Sequence, residues 1–467
     1  MLKFKKFTQK DLNLIKKYSK SSPYLVCDLS CGVMLMWKNV FNQEICEYNE
    51  TLIIKATYSG FKTCFFPPIG KDVDGAIKQI EKYCVQKELS LVFNCADENF
   101  VEYLSKKYQI KYYNNRKWSD YLYDFAEMQN FAGRKFGGQR NHINKFKKTY
   151  PNYRYKEMQK KDIDRVKSFL NEYAKFHKDM KRVEKDEYFN TFTLLDNFKK
   201  DKFVGGMIFV DKKLIAISIG EFVGKMLVIH TEKALLGYNG VYPTMFNEFV
   251  KHNQKEGIIF VNRQDDAGDE GLRTSKTQYK PIKLVDKNFV MVKSPFNIEK
   301  RPVIVGEKVV ITPFTKKDAK NYYKLTVNAS LNKYWGYDYK KDHKTVDENT
   351  FYNLQKADFN SKKNMCLKIA DKQTKTMLGE VVFYNFDYEN NVEIGFRLFK
   401  KCQGKGFATE TVKLACLYAE NTLNKTVVAK TYKQNLASQK TLLNNCFEKI
   451  GEDKKYFYYK REKNKNI

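Results

Sequence analysis

The chain has 467 residues, 42% hydrophobic and 30% charged, which excludes a largely disordered chain and allows two or three domains of ~100–200 residues each. Its formal net charge of +31 points to a polyanionic partner such as tRNA, the ribosome or anionic lipid. No apolar run approaches the ~18–20 residues that cross a bilayer. The opening Met1–Asp11 shows no apolar stretch of signal-peptide length, so the expectation is a cytoplasmic chain with no transmembrane segment, or one peripheral at a membrane.

The basic excess is 74 Lys against 11 Arg, and it is diffuse: residues 296–467 hold 33 basic and 19 acidic residues, residues 1–295 hold 52 and 35. Arginine would be favoured for bidentate phosphate contacts, so the charge reads equally as composition or as a nucleic-acid surface. The ten cysteines form no C-x-x-C pair and no Cys/His cluster, so no metal site is expected and the thiols are expected to be reduced and mostly buried.

In chain order, strands are expected at 51–58, 61–66 and 90–95 around a helix at 74–87. Arg134–Lys148 sets Arg134, Lys135, Arg140, Lys145, Lys147 and Lys148 among Phe136, Ile143 and Phe146, a basic amphipathic helix with a preceding loop. It suits a tRNA or anionic-phospholipid surface, or an interdomain connector with a solvated lysine face. Strands at 204–210, 213–221 and 225–231 lead into Gly237-Tyr-Asn-Gly-Val-Tyr242 and a helix from Pro243 to about His252. A strand at 257–262, a helix at 271–279 and a strand at 286–292 follow. Two prolines in Lys293–Pro302 mark a seam.

Beyond it come a strand at 307–312, a helix at 315–329 and irregular or helical segments to about 360. Strands at 365–371, 377–386 and 391–398, a helix at 406–422, a strand at 425–431, a helix at 436–446 and a strand at 454–460 complete the block. Its order repeats that of the preceding block, and more weakly that of 1–125. The fold expected is α/β with mixed sheets: a tandem over 1–295 (about 1–130 and 150–295), then a domain over 298–467.

Gln403-Gly-Lys-Gly-Phe-Ala408 follows Val392-Glu-Ile-Gly-Phe-Arg-Leu398 and opens a helix. Such a turn is either an ordinary glycine bend or a cradle of backbone N–H groups for a diphosphate. Gln403, Gly406 and Ala408 fill the pattern Q/R-x-x-G-x-G/A. With Asn435-Leu-Ala-Ser438 and Leu442–Gly451 downstream, residues 298–467 resemble the GCN5-related N-acetyltransferases (GNAT), in the branch that acetylates ribosomal-protein N-termini.

The resemblance implies acetyl-CoA as co-substrate and an amine acceptor, a protein N-terminus or a small molecule. Gln403, Gly404, Lys405, Gly406, Phe407 and Ala408 would hold the diphosphate, Asn435 the pantetheine arm, and Ser438 would donate to the departing thiolate or simply start a helix. An acceptor amine titrates near ~8 or ~10.4 and needs a base at neutral pH. Glu393 is the first candidate, sharing a strand face with Arg397, and Glu380 the second; each is otherwise an ion-paired sheet carboxylate.

Phe131–Phe136, Arg140–Phe146, Val228-Ile-His-Thr-Glu-Lys-Ala234, Asn262-Arg-Gln-Asp-Asp-Ala-Gly268 and Gly271–Pro281 together resemble the family related to the phosphatidylglycerol lysyltransferase C-terminal domain. That family has a tandem GNAT-like fold akin to enzymes that use aminoacyl-tRNA. Three GNAT-like units in one chain are therefore expected. His230, Glu232, Asn262, Arg263, Asp265, Asp266, Arg273 and Lys276 should line the open end of a sheet as a substrate site, or form an internal salt-bridge network. Gln264 stands where an acidic residue is expected. The resulting reading is an acyltransferase. The alternatives are an RNA- or ribosome-binding protein on transferase folds and a peripheral lipid aminoacyltransferase.

Overall fold

Runs rich in Val, Ile, Phe and Tyr, residues that fit a pleated, half-buried surface, become the strands of three mixed sheets. The computed structural model describes residues 2–57, 63–177, 180, 182–199, 202–336, 339, 343 and 345–462. It divides the chain into Met1–Ile80 with Ser90–Lys293, and Glu81–Leu89 with Ser294–Ile467, called units 1 and 2 below. Residue 58 of the strand expected at 51–58, residues 61 and 62 of that at 61–66, and several positions between 337 and 344 lie outside the described residues. Among those described, no helix is long and apolar enough to cross a membrane.

In unit 1 the first seven strands are β1 (Lys5–Lys6), β2 (Glu44–Tyr48), β3 (Thr51–Thr57), β4 (Thr63–Phe65), β5 (Ile69–Gly70), β6 (Val92–Ala96) and β7 (Ile110–Tyr113). The next seven are β8 (Asp120–Asp124), β9 (Arg154–Glu157), β10 (Val204–Val210), β11 (Lys213–Val223), β12 (Met226–Ala234), β13 (Phe260–Asn262) and β14 (Lys283–Val285), and β15 (Asn288–Val292) ends the unit. The first sheet runs β1-β2-β3-β4-β6-β15-β7, with β5 on β3; the second runs β14-β8-β13-β12-β11-β10-β9.

The two modules of unit 1 therefore trade a strand. β15 follows the second module in sequence yet lies antiparallel between β6 and β7 of the first sheet. β8 follows the first module yet lies antiparallel between β13 and β14 of the second. The strand expected at 286–292 is present, but it completes the first sheet rather than closing the second. An apolar strand pattern fixes which face is buried, not which sheet supplies the neighbours.

Helix α1 (Val73–Gln86) follows β5, and α2 (Gly137–Thr149) precedes β9. α2 buries Gln139, Ile143 and Phe146 in a core shared with Phe131, Phe136, Phe246 and Tyr279. Its cations are partly committed: Lys135 to Glu127 at 2.5 Å, Lys147 to Glu248 at 3.3 Å, and Arg140 to the carbonyls of Phe131 and Gly133. Lys145 and Lys148 are exposed. α3 (Val241–His252) follows β12 and α4 (Glu270–Thr277) follows β13.

Unit 2 contains β16 (Ile304–Val305), β17 (Val309–Thr312), β18 (Met365–Asp371), β19 (Met377–Tyr384), β20 (Asn391–Leu398), β21 (Thr426–Tyr432), β22 (Phe447–Glu452) and β23 (Tyr456–Arg461). Their order is β16-β17-β18-β19-β20-β21-β23-β22, and here β23, from the same module, takes the inserted place. The helices are α5 (Ala319–Thr326), α6 (Ala329–Asn332), α7 (Thr350–Asn360), α8 (Phe407–Leu417) and α9 (Leu436–Leu443). On one face α5 buries Tyr322 and Leu325 with Cys366 and Met377. On the other, α8 buries Val412, Ala415 and Cys416 with Leu367, Ile369, Val381 and Phe383.

Candidate functional site

Among the described residues each sheet contains one parallel pair, and each pair is short. β20 and β21 run side by side only over Asn391–Glu393 and Thr426–Val428; β12 and β13 only over Met226–Val228 and Phe260–Asn262. β4 and β6 meet only at Phe65 and Phe93. Beyond the last shared rung β20 continues on β19 and β12 on β11, so the parallel partners part. This makes a wedge-shaped opening at the carboxyl end of the sheet, where ligands of open α/β sheets bind.

The wedge of unit 2 has an open turn beside it. Gln403 through Gly406 are exposed, Gly404 and Gly406 sit at φ +74° and +80°, and Gly406 caps α8. The first N–H groups of a helix have no intrahelical acceptor. Among the described residues, the amides of Gly404 to Ala408 donate to none. A Cβ at Gly404 would meet nothing within 4 Å, and at Gly406 only Lys308 Nζ at 3.6 Å, so a cation stands at the rim. Gln403 Nε2 donates to Leu398 O at 3.1 Å and braces the bend. Glu410, one turn into α8, accepts the N–H groups of Glu307 and Lys308 and fixes the rim.

The matching turn of the second sheet is filled at its helix end, although Gly237 (φ +91°) is exposed and a Cβ there would meet nothing within 4 Å. A Cβ at Gly240 (φ +85°) would lie 2.5 Å from His142 O and 3.1 Å from Phe146 Cβ, both on α2. Tyr150 Oη donates to Gly237 O at 3.3 Å, and its ring lies 5.3 Å from that of Tyr238. In the first sheet the turn is Phe66-Pro-Pro-Ile-Gly70; two prolines offer no N–H, and Ile69–Gly70 is zipped to β3. Gly240→Ala should therefore lower unit-1 stability by ~2–3 kcal/mol, from backbone strain plus a forced shift of α2. Urea unfolding of the full chain measures it, with acetyl-CoA affinity unchanged.

Glu393 lies at the apex of the wedge on the last shared rung, on the face of Arg397. Its Oε1 accepts from Tyr384 Oη at 2.6 Å and its Oε2 from Asn385 Nδ2 at 2.8 Å, with Lys430 Nζ at 3.3 Å. Burial, and then the Glu393 charge, pushes the Tyr384 phenol far up, so it stays a donor. Glu380 is deeper, 2% exposed, and holds Arg397 through Nε at 2.5 Å; Tyr322 Oη donates to it at 3.0 Å and Cys366 Sγ at 2.8 Å. Asn435 caps α9: its Oδ1 accepts from Ser438 N at 3.3 Å and its Nδ2 donates to Ser438 Oγ at 2.9 Å. The donors that flank Glu393 were not visible as a set in the sequence, although Tyr384 faces it across β19 and β20 and strand pairing would have found it.

The unit 1 residues come together differently. Glu232 grips Arg263 at 2.7 and 3.0 Å, and the guanidinium lies 4.3 Å from the Phe246 ring and 4.7 Å from that of Tyr279. His230 bonds Glu221 at 2.9 Å and Gln264 at 3.0 Å, so Gln264 serves as a hydrogen-bonding partner. Asp266 accepts from Arg273 (3.0 Å), Arg116 (3.1 Å) and Tyr121 (2.7 Å). Burial alone would raise its carboxyl, but Arg273, Tyr121 and the Gly268 N–H hold it well below the usual range. Lys276 Nζ donates to the carbonyls of Arg263 and Asp265.

At the strand exchange, Lys287 Nζ stands 2.7 Å from Asp120, 2.8 Å from Asp28 and 3.3 Å from Asp265. Asn262 Nδ2 donates to Asp120 at 3.0 Å. Cys27, Asp28 and Asp120 are close enough together to ligate a metal, but Lys287, also 3.3 Å from Cys27 Sγ, supplies the positive charge there.

Comparison with known proteins decides the family. The model described as phosphatidylglycerol lysyltransferase, C-terminal, matches residues 21–290, more than half the chain. The chain belongs to this family. Within the same chain, residues 308–448 match the acetyltransferase (GNAT) domain. This member of the phosphatidylglycerol lysyltransferase C-terminal family is an acyltransferase enzyme with α/β mixed sheets, a GNAT-like tandem followed by a GNAT domain.

A conserved protein of unknown function from Bacteroides thetaiotaomicron VPI-5482 is 25% identical; the match covers 63% of this chain and all of that one, with a TM-score of 0.59. The uncharacterized N-acetyltransferase YnaD of Bacillus subtilis (strain 168) is 25% identical over 158 residues, 34% of this chain and 86% of that protein. A GNAT-family acetyltransferase from Bacillus anthracis is 20% identical, covering 34% of this chain and 97% of its own, with a TM-score of 0.30. Acetyltransferases of the GNAT family act on amines with acetyl-CoA as co-substrate.

Proposed function

We propose that residues 298–467 transfer the acetyl group of acetyl-CoA to a primary amine, with protein N-termini as one acceptor class, in a cytoplasmic setting that suits ten unpaired cysteines. The observation that carries this is the open amide turn at Gly404–Ala408 beside a splayed parallel pair. The residues fit the group: exposed amides at a helix start and Lys308 at the rim suit a diphosphate. Acetyl-CoA, when bound, supplies the activated acyl group. In this reading Asn435, which caps α9 through Ser438, would meet the pantetheine arm, and Ser438 would donate a hydrogen bond to the departing thiolate. Glu393 takes the proton from the acceptor ammonium, with Tyr384, Asn385 and Lys430 fixing its carboxylate. Glu380 is a positioning group that holds Arg397.

Since α2 crowds the helix end of the second turn and two prolines occupy the first, the chain should bind one acetyl-CoA, countable by calorimetry. Glu393→Gln should lower kcat by ~10²–10³-fold while leaving acetyl-CoA affinity within twofold. An unchanged kcat refutes the assignment of the base.

For residues 1–295, the aminoacyl-tRNA-dependent-transferase-like tandem, we propose recognition rather than turnover. The candidate residues His230, Glu232, Asn262, Arg263, Asp265, Asp266, Arg273 and Lys276 are held by one another and by neighbours, which supports that reading. The exposed lysines of α2 then supply the surface for tRNA or anionic phospholipid. Binding that falls steeply with salt, and is lost in Lys145→Glu with Lys148→Glu, is the test.

A further inference from the structure

The face of the unit 2 sheet that carries Glu393 is half open. Over β20, β21 and β23, Gly395, Tyr432 and Tyr456 are partly exposed and Lys430 is exposed. A Cβ at Gly395 would meet Val382 Cγ1 at 3.3 Å, Tyr384 Cε1 at 3.5 Å and Trp335 Cη2 at 3.6 Å, so the glycine forms a floor beneath an aromatic wall. Tyr334 lies 5.6 Å from Tyr432, which lies 4.7 Å from Tyr456.

Every ring of that wall already carries a cation. Arg397 is 4.3 Å from the Trp335 centroid and Lys333 5.2 Å from Tyr334. Lys455 is 4.9 Å from Tyr432 and 5.3 Å from Tyr456, and Lys430 is 5.8 Å from Tyr384 and 6.0 Å from Tyr456. A cationic substrate drawn to these electron-rich rings would therefore meet the protein's own cations beside them. Of these cations, Arg397 is matched by Glu380 and Lys430 by Glu393. Lys333 and Lys455 have no carboxylate partner among the described residues. The nearby Asp453 accepts from Tyr458 Oη at 2.7 Å and from the backbone N–H groups of Lys455 and Tyr456.

We infer that the acceptor is a primary amine carrying its own anionic group, a carboxylate or a phosphate. Its nitrogen lies at Glu393 and its anion toward Lys333 and Lys455. The inference rests on the acetyl-CoA-dependent reading of unit 2 and names the acceptor class for that site. A polyamine would bring a second positive charge to rings that already have cations beside them, whereas an anionic amine neutralises the two unmatched lysines.

The test uses the full chain with acetyl-CoA and follows CoA thiol release with two matched acceptor pairs. One pair is a short peptide with N-terminal Ala followed by Glu-Glu or by Lys-Lys. The other is phosphoethanolamine or ethanolamine. The expected result is a kcat/KM at least tenfold higher for the anionic member of a pair, and the pair that responds identifies carboxylate or phosphate. Lys333→Glu with Lys455→Glu, both surface changes, should erase that preference or reverse it, with acetyl-CoA affinity unchanged.

Equal use of both members, preference for the cationic member, or a preference unaltered in the double variant would overturn the inference. No turnover of any of the four while acetyl-CoA still binds would also overturn it, leaving the parent reading intact. Failure of acetyl-CoA to bind would instead overturn the parent reading, and the acceptor assignment with it.

Discussion

Gly406→Glu abolishes acetyl-CoA binding: calorimetry on the full chain should show no saturable heat at millimolar ligand. Gly406 holds φ +80°, a left-handed conformation that costs a residue with a Cβ ~1–2 kcal/mol. The larger effect is functional. The new carboxylate would stand beside Lys308 Nζ and the free amides of Gly404–Ala408, competing for the same cation and N–H groups and repelling a diphosphate. The fold should persist, since a Cβ meets only Lys308 Nζ at 3.6 Å, and a thermal midpoint lowered by only a few degrees would establish that. Gly404→Ala, with open space around it, isolates the strain and should weaken binding by no more than ~10-fold, the equivalent of ~1.4 kcal/mol. Retained tight binding in Gly406→Glu would show that this turn does not hold the diphosphate.

Lys287→Ala should be the most damaging single change in unit 1. Lys287 is buried, and burial opposes its charge, but Asp120, Asp28 and Asp265 hold its pKa well above the ordinary lysine value. Removing one partner from a buried ionic cluster leaves uncompensated charge and costs ~3–5 kcal/mol. Burial already raises the carboxyl of Asp120, so in the variant that group should bind a proton on folding. Its stability deficit should then shrink as pH falls toward the acid range. Urea unfolding at pH 5 and pH 8 measures both effects. Adding Asp120→Asn should restore part of the loss. A deficit below ~1 kcal/mol would mean that the cluster is solvated and unimportant, like a surface pair.

The fold was legible wherever periodicity and turn chemistry agree. The strands 204–210, 365–371 and 391–398 appear with the expected ends, and the glycine turn at 403–408 opens the helix it was expected to open. Partner choice was not legible. Nothing in Asn288–Val292 distinguishes a strand of one sheet from a strand of the other, because both environments bury the same apolar side chains. The sites divide along similar lines. The shared face of Glu393 and Arg397 follows from strand alternation. The filling of the second turn depends on a helix about 100 residues upstream, α2, whose apolar face is readable but whose destination is not. The roles of Lys287 and Asp120 were equally hidden, since they lie far apart in sequence and meet only through the exchange.

That exchange also sets a schedule for synthesis. The first sheet has strands β1 to β7 by residue 113, yet its inserted strand is not translated until residues 288–292, a wait on the order of 10–30 s at typical elongation rates. Through that interval β6 and β7 lack the strand that joins them, and such unpaired edges template aggregation. Severing the chain between the two modules should yield two insoluble pieces rather than two small proteins, with solubility recovered only when both are made together.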